Sequence, residues 1–248
     1  MTVLACIDDL HVSFGGVAAA SGVSFAVDAG EFLAVIGPNG AGKTTALRMI
    51  AGLLRPDSGR IFFDNRDVTP LPAHVRVRLG LGFTHQIVRP FQSFSTVENV
   101  MIAAGHSLTQ SPWRALTRRS RWAARERAAA ILERIGLAEQ IDKSPRSLPL
   151  GQRKRLEVAR AIALDPRLLL LDEPLAGLSS TEAATMADLI RTLPASGITV
   201  VLVEHNLGEV LRIADRIVVL DAGKVLAEGL PADVMARADV REAYTGVV

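Results

Sequence analysis

One short glycine-rich segment constrains the fold of this chain more than any other feature. Residues 37–45 read GPNGAGKTT, directly after the apolar run 32–36 and directly before a helical pattern. They match the phosphate-binding motif GxxxxGK(S/T) in the strand–loop–helix context that this motif requires. Glycines permit positive φ, so backbone N–H groups can turn inward on phosphate oxygens, and the helix dipole adds to the attraction. The segment predicts nucleotide binding by an α/β protein.

The same loop predicts roles for single residues. We expect Lys43 to bridge the β- and γ-phosphates of ATP, and Thr44 to place its hydroxyl on Mg²⁺. The alternative is an accidental glycine turn, and the strand and helix patterns on either side argue against it. The other predicted ATP contacts are neighbours in the loop: Asn39, Gly40, Ala41, Gly42 and Thr45.

A second motif places two acids at the end of a buried strand. Residues 168–171 are four leucines, and Asp172 and Glu173 follow them. Such an uninterrupted apolar run is typical of a parallel strand buried on both faces, and ligands of parallel sheets bind at the carboxyl ends of strands. We expect Asp172 to hold Mg²⁺ and Glu173 to orient or deprotonate a water molecule. Two incidental acids at a solvated strand end are the alternative, which the phosphate loop disfavours.

Short β-rich runs alternate with helical patterns along the chain, which is typical of a parallel sheet flanked by helices. Strands are predicted at 3–7, 23–27, 32–36, 60–63, 168–171, 199–203, 217–220 and 224–228. Helices are predicted at 43–53, 96–104, 120–135, 152–164, 181–192 and 207–214. Residues 87–164 carry no convincing strand pattern, so this third of the chain is predicted to be a helical insertion.

Composition excludes several classes of protein. Apolar residues make up 49% of the 248 residues and charged residues 22%, which excludes a disordered, collagen-like or coiled-coil chain. The single cysteine, Cys6, excludes an intramolecular disulfide framework and indicates a reducing compartment. No signal-peptide pattern and no apolar run of about 20 residues is evident, so we expect a soluble chain.

The net charge of +2 is unevenly distributed. Segment 114–127 holds six arginines and one glutamate, a local charge of +5, so the remainder carries −3. Trp113 and Trp122 lie in or beside this segment. A solvated helical face, attraction to an anionic membrane or a permease, and nucleic-acid binding are three interpretations of the segment.

The order and spacing of further segments resemble the ABC ATPase family over essentially the whole chain. These segments are the LSGGQ-like signature at 147–156, the Q-loop glutamine Gln86, the D-loop at 175–179, the switch histidine His205 after Glu204, and Phe14, where the family stacks an aromatic ring on adenine. The resemblance implies a P-loop NTPase core with a mostly parallel sheet, an antiparallel β subdomain and an inserted α-helical subdomain. It implies one domain, 1–248, with the core and β subdomain at 1–86 and 165–248 and the helical subdomain at 87–164.

The resemblance also implies how the sites work. ABC ATPases form head-to-tail dimers in which each ATP contacts the phosphate loop of one protomer and the signature of the other. The residues facing the opposite ATP would be Pro149, Leu150, Gly151 and Gln152. Glu173, His205 and Gln86 would be the catalytic residues. Thr44, Gln86 and Asp172 would be the Mg²⁺ ligands.

Three positions depart from the family pattern. Pro149 replaces the usual signature serine, Leu150 replaces the following glycine, and Ser179 replaces the usual D-loop aspartate. Pro149 removes one expected hydrogen bond to the γ-phosphate, a loss of about 1.5–3 kcal/mol for a charge-assisted bond. Because Ser179 has no carboxylate, the contact that the D-loop aspartate of the family makes across the dimer is in question here.

Local segments narrow the resemblance to one subfamily. Residues 86–91 (QIVRPF), 96–100 (TVENV), 203–206 (VEHN) and 240–244 (VREAY) resemble the larger ATPase of branched-chain (hydrophobic) amino-acid importers. The implied partners are two permease subunits, a second ATPase subunit in a hetero- or homodimer and, indirectly, a solute-binding protein. The implied location is peripheral, on the cytoplasmic face of the inner membrane.

Other functions stay open at this point. Relatives in the same subfamily import urea, amides or aromatic acids, and an exporter ATPase is a further possibility. A soluble ABC ATPase that acts on nucleic acid is the alternative from another class, although no nucleic-acid partner is expected. Phe91 and Phe94 follow the Q-loop; a place in the hydrophobic core is one interpretation, and the Q-loop context favours docking against a permease helix.

Overall fold

The computed structural model describes residues 2–84, 90–104 and 118–245. In chain order the strands are β1 (Val3–Phe14), β2 (Val17–Asp28), β3 (Phe32–Ile36), β4 (Ser58–Phe63), β5 (Arg66–Asp67), β6 (Leu81–Phe83), β7 (Leu168–Asp172), β8 (Thr199–Val203), β9 (Arg216–Asp221) and β10 (Lys224–Gly229). The helices are α1 (Lys43–Ala51), α2 (Ala73–Arg78), α3 (Thr96–Ala104), α4 (Arg118–Arg134), α5 (Leu150–Ile162), α6 (Ser180–Arg191), α7 (Leu207–Ile213), α8 (Pro231–Ala236) and α9 (Ala238–Thr245).

The larger sheet has six strands in the order β10-β9-β3-β8-β7-β6. Its pairs from β9 to β6 are parallel, and only β10 pairs antiparallel with its neighbour. Every residue of β3, β7 and β8 is buried. Since these three strands run in parallel, the segments that follow them meet at one edge of the sheet.

Alternate residues of this sheet pack into two different cores, which explains the uninterrupted apolar runs. On β3, Leu33 and Val35 pack toward α1 and the smaller sheet, whereas Phe32, Ala34 and Ile36 pack toward the helices on the opposite face. A strand between two cores needs apolar side chains on both faces. The predicted α/β class with a mostly parallel sheet is confirmed.

The smaller sheet is antiparallel, with the order β2-β1-β4-β5. Its long β1–β2 hairpin is only partly predicted from the sequence, which indicates strands at 3–7 and 23–27. A break in register between Ile7 and Leu10, with Asp9 at a φ of 50°, interrupts the alternation of polar and apolar residues in β1. Such a bulge breaks the period-two pattern, so the pattern does not show that the strand continues beyond it.

Between β6 and β7, the described residues form helices and no strand. Helices α3, α4 and α5 pack together through buried apolar residues such as Val100, Leu132 and Leu156. The helical character of this segment agrees with the sequence pattern. The division into a core at 1–86 and 165–248 and a subdomain at 87–164 stays a prediction.

Candidate functional site

The phosphate loop lies between β3 and α1, and close backbone contacts require two of its glycines. Gly37 has a φ of 146°, and a Cβ atom there would lie 2.0 Å from the carbonyl oxygen of Leu220. Gly42 has a φ of 96°, and its Cβ atom would lie 2.2 Å from the carbonyl oxygen of Ala19. Any side chain at either position would displace backbone, so both glycines are fixed by the fold.

Helix α1 begins at this loop without help from a side chain. Its N-cap is Gly42 in the left-handed conformation, no side chain caps the helix, and its first turn holds no acidic residue. The first N–H groups of a helix have no partner within the helix, and they carry its partial positive charge. This helix start therefore offers donors and positive potential to an anion.

A pocket opens at this helix start, and we call it the phosphate-loop pocket. Its lining is Ala19, Asn39, Gly40, Ala41, Gly42, Lys43, Thr44, Thr45, Glu173 and His205. The structure thus brings together the loop residues that the sequence predicts for ATP and two of the three predicted catalytic residues. The third, Gln86, lies outside the described residues.

Lys43 is buried at the base of the phosphate-loop pocket. Its Nζ donates to the carbonyl oxygens of Gly37 at 2.8 Å and Pro38 at 2.7 Å. Burial lowers the pKa of Lys43, and the negative charges of Glu173 and Asp172 oppose that shift. The loop therefore holds one buried cation beside two carboxylates.

Two of the predicted magnesium ligands are in contact. The Thr44 hydroxyl donates to Oδ1 of Asp172 at 3.1 Å, and Asp172 is buried at the end of β7. Among the described residues, no cluster of three or more histidine, cysteine or acidic side chains surrounds a metal position. A hydroxyl and one carboxylate suit Mg²⁺, which usually completes its shell with water and substrate phosphates.

Glu173 and His205 form a direct pair at the same edge of the sheet. Nε2 of His205 lies 2.6 Å from Oε1 of Glu173, with Glu173 buried and His205 partly exposed. The chain reaches this geometry because β7 and β8 are adjacent and parallel, and the Glu173 N–H donates to the carbonyl of Val203 at 2.9 Å. A carboxylate and an imidazole at this distance can orient and deprotonate a water molecule.

Two buried polar residues beside this pair were not predicted from the sequence. Lys154 Nζ donates to the carbonyl oxygen of Glu173 at 2.9 Å, and the Glu204 carboxylate accepts the N–H groups of Leu175 and His205 at 2.5 and 3.1 Å. Burial lowers the pKa of Lys154 and raises the pKa of Glu204. Helical spacing does place Lys154 on the buried face of α5, with Gly151 and Val158, and this signal could have identified it.

The signature segment forms a second pocket, which we call the signature pocket. Its lining is Pro149, Gly151, Gln152, Arg155, Leu178, Glu182 and Met186. Pro149 is the N-cap of α5 and provides no side-chain cap, and the Leu150 side chain is 40% exposed. No lining residue belongs to both pockets, so the two helix starts present separate surfaces.

Ser179, at the D-loop position where the family has aspartate, caps α6. Its hydroxyl accepts the Glu182 N–H, and the Glu182 carboxylate accepts the Ser179 N–H at 3.1 Å, which completes a capping box. The hydroxyl therefore has a structural partner within this chain.

The remaining predicted contact residues lie on exposed surfaces. Phe14, at the tip of the β1–β2 hairpin, is 51% exposed and is not part of the phosphate-loop pocket lining. Phe91 and Phe94 are also exposed, and their rings meet edge to face at 6.1 Å.

The arginine-rich segment is described only in part. Trp122 on α4 is 63% exposed. Arg125 and Arg127 form ion pairs within the chain, with Asp142 at 2.9 Å and Asp165 at 3.3 Å. Part of the local positive charge is therefore balanced by acids of the same chain.

No helix in the ranges 2–84, 90–104 and 118–245 has the length and apolar character to span a membrane. The family model described as "ABC transporter" matches residues 20–176. The chain is 41% identical over 224 residues to the lipopolysaccharide export system ATP-binding protein LptB of Acidithiobacillus ferridurans, which covers 90% of this chain and 89% of that protein.

It is 38% identical over 246 residues to the high-affinity branched-chain amino acid transport ATP-binding protein BraF of Pseudomonas aeruginosa, covering 97% of this chain and 96% of that protein. Among solved structures, the ADP conformation of MJ1267, an ATP-binding cassette of an ABC transporter, aligns with a TM-score of 0.87 and 30% identity over 100% of both chains. The resemblance inferred from the motifs is thus confirmed. The chain belongs to the ABC transporter family and is an ATP-hydrolysing, ATP-binding subunit of such a transporter.

Proposed function

We propose that the phosphate-loop pocket holds the triphosphate of ATP while Glu173 and His205 activate the attacking water. The observation that carries this proposal is the 2.6 Å contact between the two side chains, because both line the same pocket as the loop. Phosphoryl transfer needs little covalent chemistry from the protein and depends on positioning and charge stabilisation. This pocket offers both at one edge of the sheet.

Binding begins with exchange of hydrogen bonds in the loop. Lys43 Nζ leaves the carbonyl oxygens of Gly37 and Pro38 and donates to the β- and γ-phosphates, while the first N–H groups of α1 donate to the same anion. Thr44 and Asp172 would hold Mg²⁺, together with Gln86, and this ion would supply positive charge to the phosphates. Phe14, exposed at the hairpin tip, would stack on adenine.

Hydrolysis then uses the Glu173–His205 pair. Glu173, which is buried beside the phosphate loop, accepts a proton from the attacking water. The partly exposed imidazole of His205 donates to the γ-phosphate, which neutral and protonated histidine can both do, and in this structure it contacts the carboxylate of Glu173.

Substitutions of Glu173 and His205 test these roles. Glu173→Gln and His205→Ala should each lower the ATP turnover number by about 10²–10⁴-fold, the usual contribution of general acid–base catalysis. The ATP affinity of Glu173→Gln should change little, because Glu173 donates no hydrogen bond to a phosphate. His74, exposed on α2, provides a matched control, since His74→Ala should hydrolyse ATP like the wild type. Undiminished turnover of Glu173→Gln would refute the role of Glu173.

We infer that the signature pocket serves the ATP of a second protomer. ATPases of this family dimerise and work with permease components. In a head-to-tail dimer, the uncapped start of α5 would donate backbone N–H groups of Gly151 and Gln152 to the partner's γ-phosphate. ATP touches both protomers only in the closed dimer, so binding shifts the population toward closure and hydrolysis reverses the shift.

The transported solute is proposed to be a branched-chain or other hydrophobic amino acid. Similarity to BraF extends over almost all of both chains, and several local segments follow the pattern of this subfamily. Similarity to LptB covers less of the chain and supports export of lipopolysaccharide as the second candidate. In either case the chain would lie on the cytoplasmic face of the membrane, with Phe91 and Phe94 against a permease helix.

Reconstitution with the permeases of its own transporter tests this assignment. Proteoliposomes with the matching solute-binding protein should take up labelled leucine when ATP is enclosed, and the same complex with Glu173→Gln should not. Uptake of urea, an amide or an aromatic acid in place of leucine would assign a different solute to the transporter. ATP-dependent lipopolysaccharide extraction would favour export, and salt-sensitive stimulation by oligonucleotides would favour a nucleic-acid function.

A further inference from the structure

The backbone of Glu173 has a conformation that needs support. Its φ is 50°, in the left-handed region that non-glycine residues rarely adopt. Such residues persist where surrounding contacts determine their geometry, and they concentrate at functional sites. The question is therefore which contacts hold Glu173 in this conformation.

Lys154 supplies one of these contacts from a distant part of the sequence. It lies on α5, the helix that begins at the signature segment, and its side chain is 6% exposed. Its Nζ donates to the carbonyl oxygen of Glu173 at 2.9 Å, and the Ala176 N–H donates to the same oxygen at 3.3 Å. A buried ammonium group is costly unless it is hydrogen-bonded and its charge is balanced.

Glu204 supplies the balancing charge and two further contacts. It is 2% exposed, and its carboxylate accepts the Leu175 N–H with one oxygen and the His205 N–H with the other. It thus joins the turn after Glu173 to the backbone of His205. The negative charges of Glu204 and Glu173 both oppose the lowering of the Lys154 pKa that burial causes.

We propose that Lys154 and Glu204 are positioning residues that fix the backbone of Glu173 and His205, and thereby the distance between these two side chains. This proposal rests on the catalytic role proposed above for the Glu173–His205 pair. It also makes α5 a rigid link between the signature pocket and the phosphate-loop pocket, because the same helix starts at one and contacts Glu173 at the other.

The variants Lys154→Met and Glu204→Gln test the proposal with little change in side-chain volume. Steady-state ATP hydrolysis is measured with the purified full-length chain, at concentrations where the wild type turns over ATP. Lys154→Met should lower kcat by about 10–100-fold, the effect of a misplaced catalytic group, while the KM for ATP changes by less than about 2-fold. Lys143→Met is the matched control, because Lys143 is exposed, and it should match the wild type.

The double variant Lys154→Met/Glu204→Gln separates positioning from stability. Removal of one buried charge leaves the other uncompensated, whereas removal of both does not. The melting temperature of the double variant should therefore lie closer to wild type than that of either single variant, while kcat stays low. Recovery of kcat together with stability would show a merely structural role and overturn the proposal, as would an equal loss of ATP binding and kcat in Lys154→Met.

Glu173→Gln, assayed in parallel, distinguishes two kinds of failure. If Glu173→Gln is inactive while Lys154→Met has wild-type kcat, the positioning proposal fails and the catalytic proposal stands. If Glu173→Gln itself turns over ATP at the wild-type rate, the catalytic proposal fails, and the positioning proposal fails with it.

Discussion

The phosphate-loop pocket and the signature pocket both lie at the start of a helix, and they differ in the residues around that start. Each lies at a helix start without a side-chain cap, at Gly42 in one and Pro149 in the other. The phosphate-loop pocket adds buried charges, Lys43 and Glu173 among them, whereas apolar groups such as Leu178 line much of the signature pocket. One pocket holds the groups proposed for catalysis, Glu173 and His205, and the other combines a helix start with a mixed apolar and polar lining.

Side chains cap two other helices, whereas α2 and α8, like α1 and α5, begin without a side-chain cap. Helix α6 is closed by the capping box of Ser179 and Glu182, and α7 by the side chain of Asn206, which accepts the Glu209 N–H. These caps satisfy the first N–H groups within the chain. At the two pockets the corresponding groups stay available for a ligand.

The largest expected effect concerns the Glu173–His205 pair of the phosphate-loop pocket. Combining Glu173→Gln with His205→Ala should reduce turnover by about 10³-fold, no more than the more damaging single substitution, because residues that act as a unit are strongly non-additive. Single-turnover kinetics of the four proteins form the measurement. Additive losses would mean that the 2.6 Å contact is not used in hydrolysis.

The next effect concerns the buried cation. Lys43→Met should weaken ATP binding by about 100-fold, since it removes charge-assisted hydrogen bonds to phosphate. Equilibrium binding of ATP to the purified chain measures the change. Arg155→Met, in the signature pocket, is the comparison, and it should leave binding to the isolated protomer unchanged. Equal losses of ATP affinity in Lys43→Met and Arg155→Met would contradict the proposed difference between the two pockets.

A smaller effect is expected when the signature segment is returned to the family pattern. Pro149→Ser combined with Leu150→Gly restores a hydroxyl donor and should raise turnover by about 10-fold, near the lower limit of about 1.5 kcal/mol for one charge-assisted hydrogen bond. The affinity of the isolated protomer for ATP should not change. An affinity increase without dimerisation would place the signature pocket at the same ATP as the phosphate loop.

The capping box of Ser179 and Glu182 stabilises the start of α6, and its Glu182 also lines the signature pocket. Ser179→Ala should destabilise the chain by about 1 kcal/mol and lower its melting temperature by about 2–4 °C. Ser179→Thr, which keeps a hydroxyl that accepts the Glu182 N–H and donates to the Glu182 carboxylate, should retain wild-type stability. Calorimetry of both variants checks this, and equal melting temperatures for Ser179→Ala and wild type would contradict the role of the cap.

The smallest expected effect concerns the titration of Tyr244, which lies near Gly37 of the phosphate loop. Burial raises the pKa of Tyr244 to about 12, and the nearby Gly37 N–H opposes that rise. Because the folded pKa exceeds the unfolded value of about 10, the stability that neutral Tyr244 contributes is complete below pH 10 and is lost toward pH 12. Tyr244 is the single tyrosine of the chain, so phenolate absorbance reports it alone. Titration at the unfolded value would contradict its burial.

Much of the phosphate-loop pocket could be predicted because its information is local. The loop and the acid pair each follow a buried strand directly, so the sequence alone places Lys43 and Asp172 at the carboxyl edge of a sheet. The contact of Glu173 with His205 depends on the adjacency of β7 and β8, which the family resemblance implies and the local pattern does not.

The supporting residues could not be predicted in this way. Lys154 and Glu204 are polar, and their burial depends on contacts between α5, the turn after β7 and the end of β8. Helical periodicity assigns Lys154 to the buried face but cannot name its partner. Likewise, the bulge at Asp9 conceals the full length of β1, since it breaks the alternation on which strand prediction depends.

The central claim is that one ATP is shared between the phosphate-loop pocket of one protomer and the signature pocket of another. The most direct test is the molar mass in solution of Glu173→Gln with saturating ATP, alone and mixed with the second ATPase of its transporter. ATP should produce a dimer and ADP should not, because only ATP carries the γ-phosphate that reaches the α5 start. An ATP-saturated chain that stays monomeric under both conditions would contradict the claim.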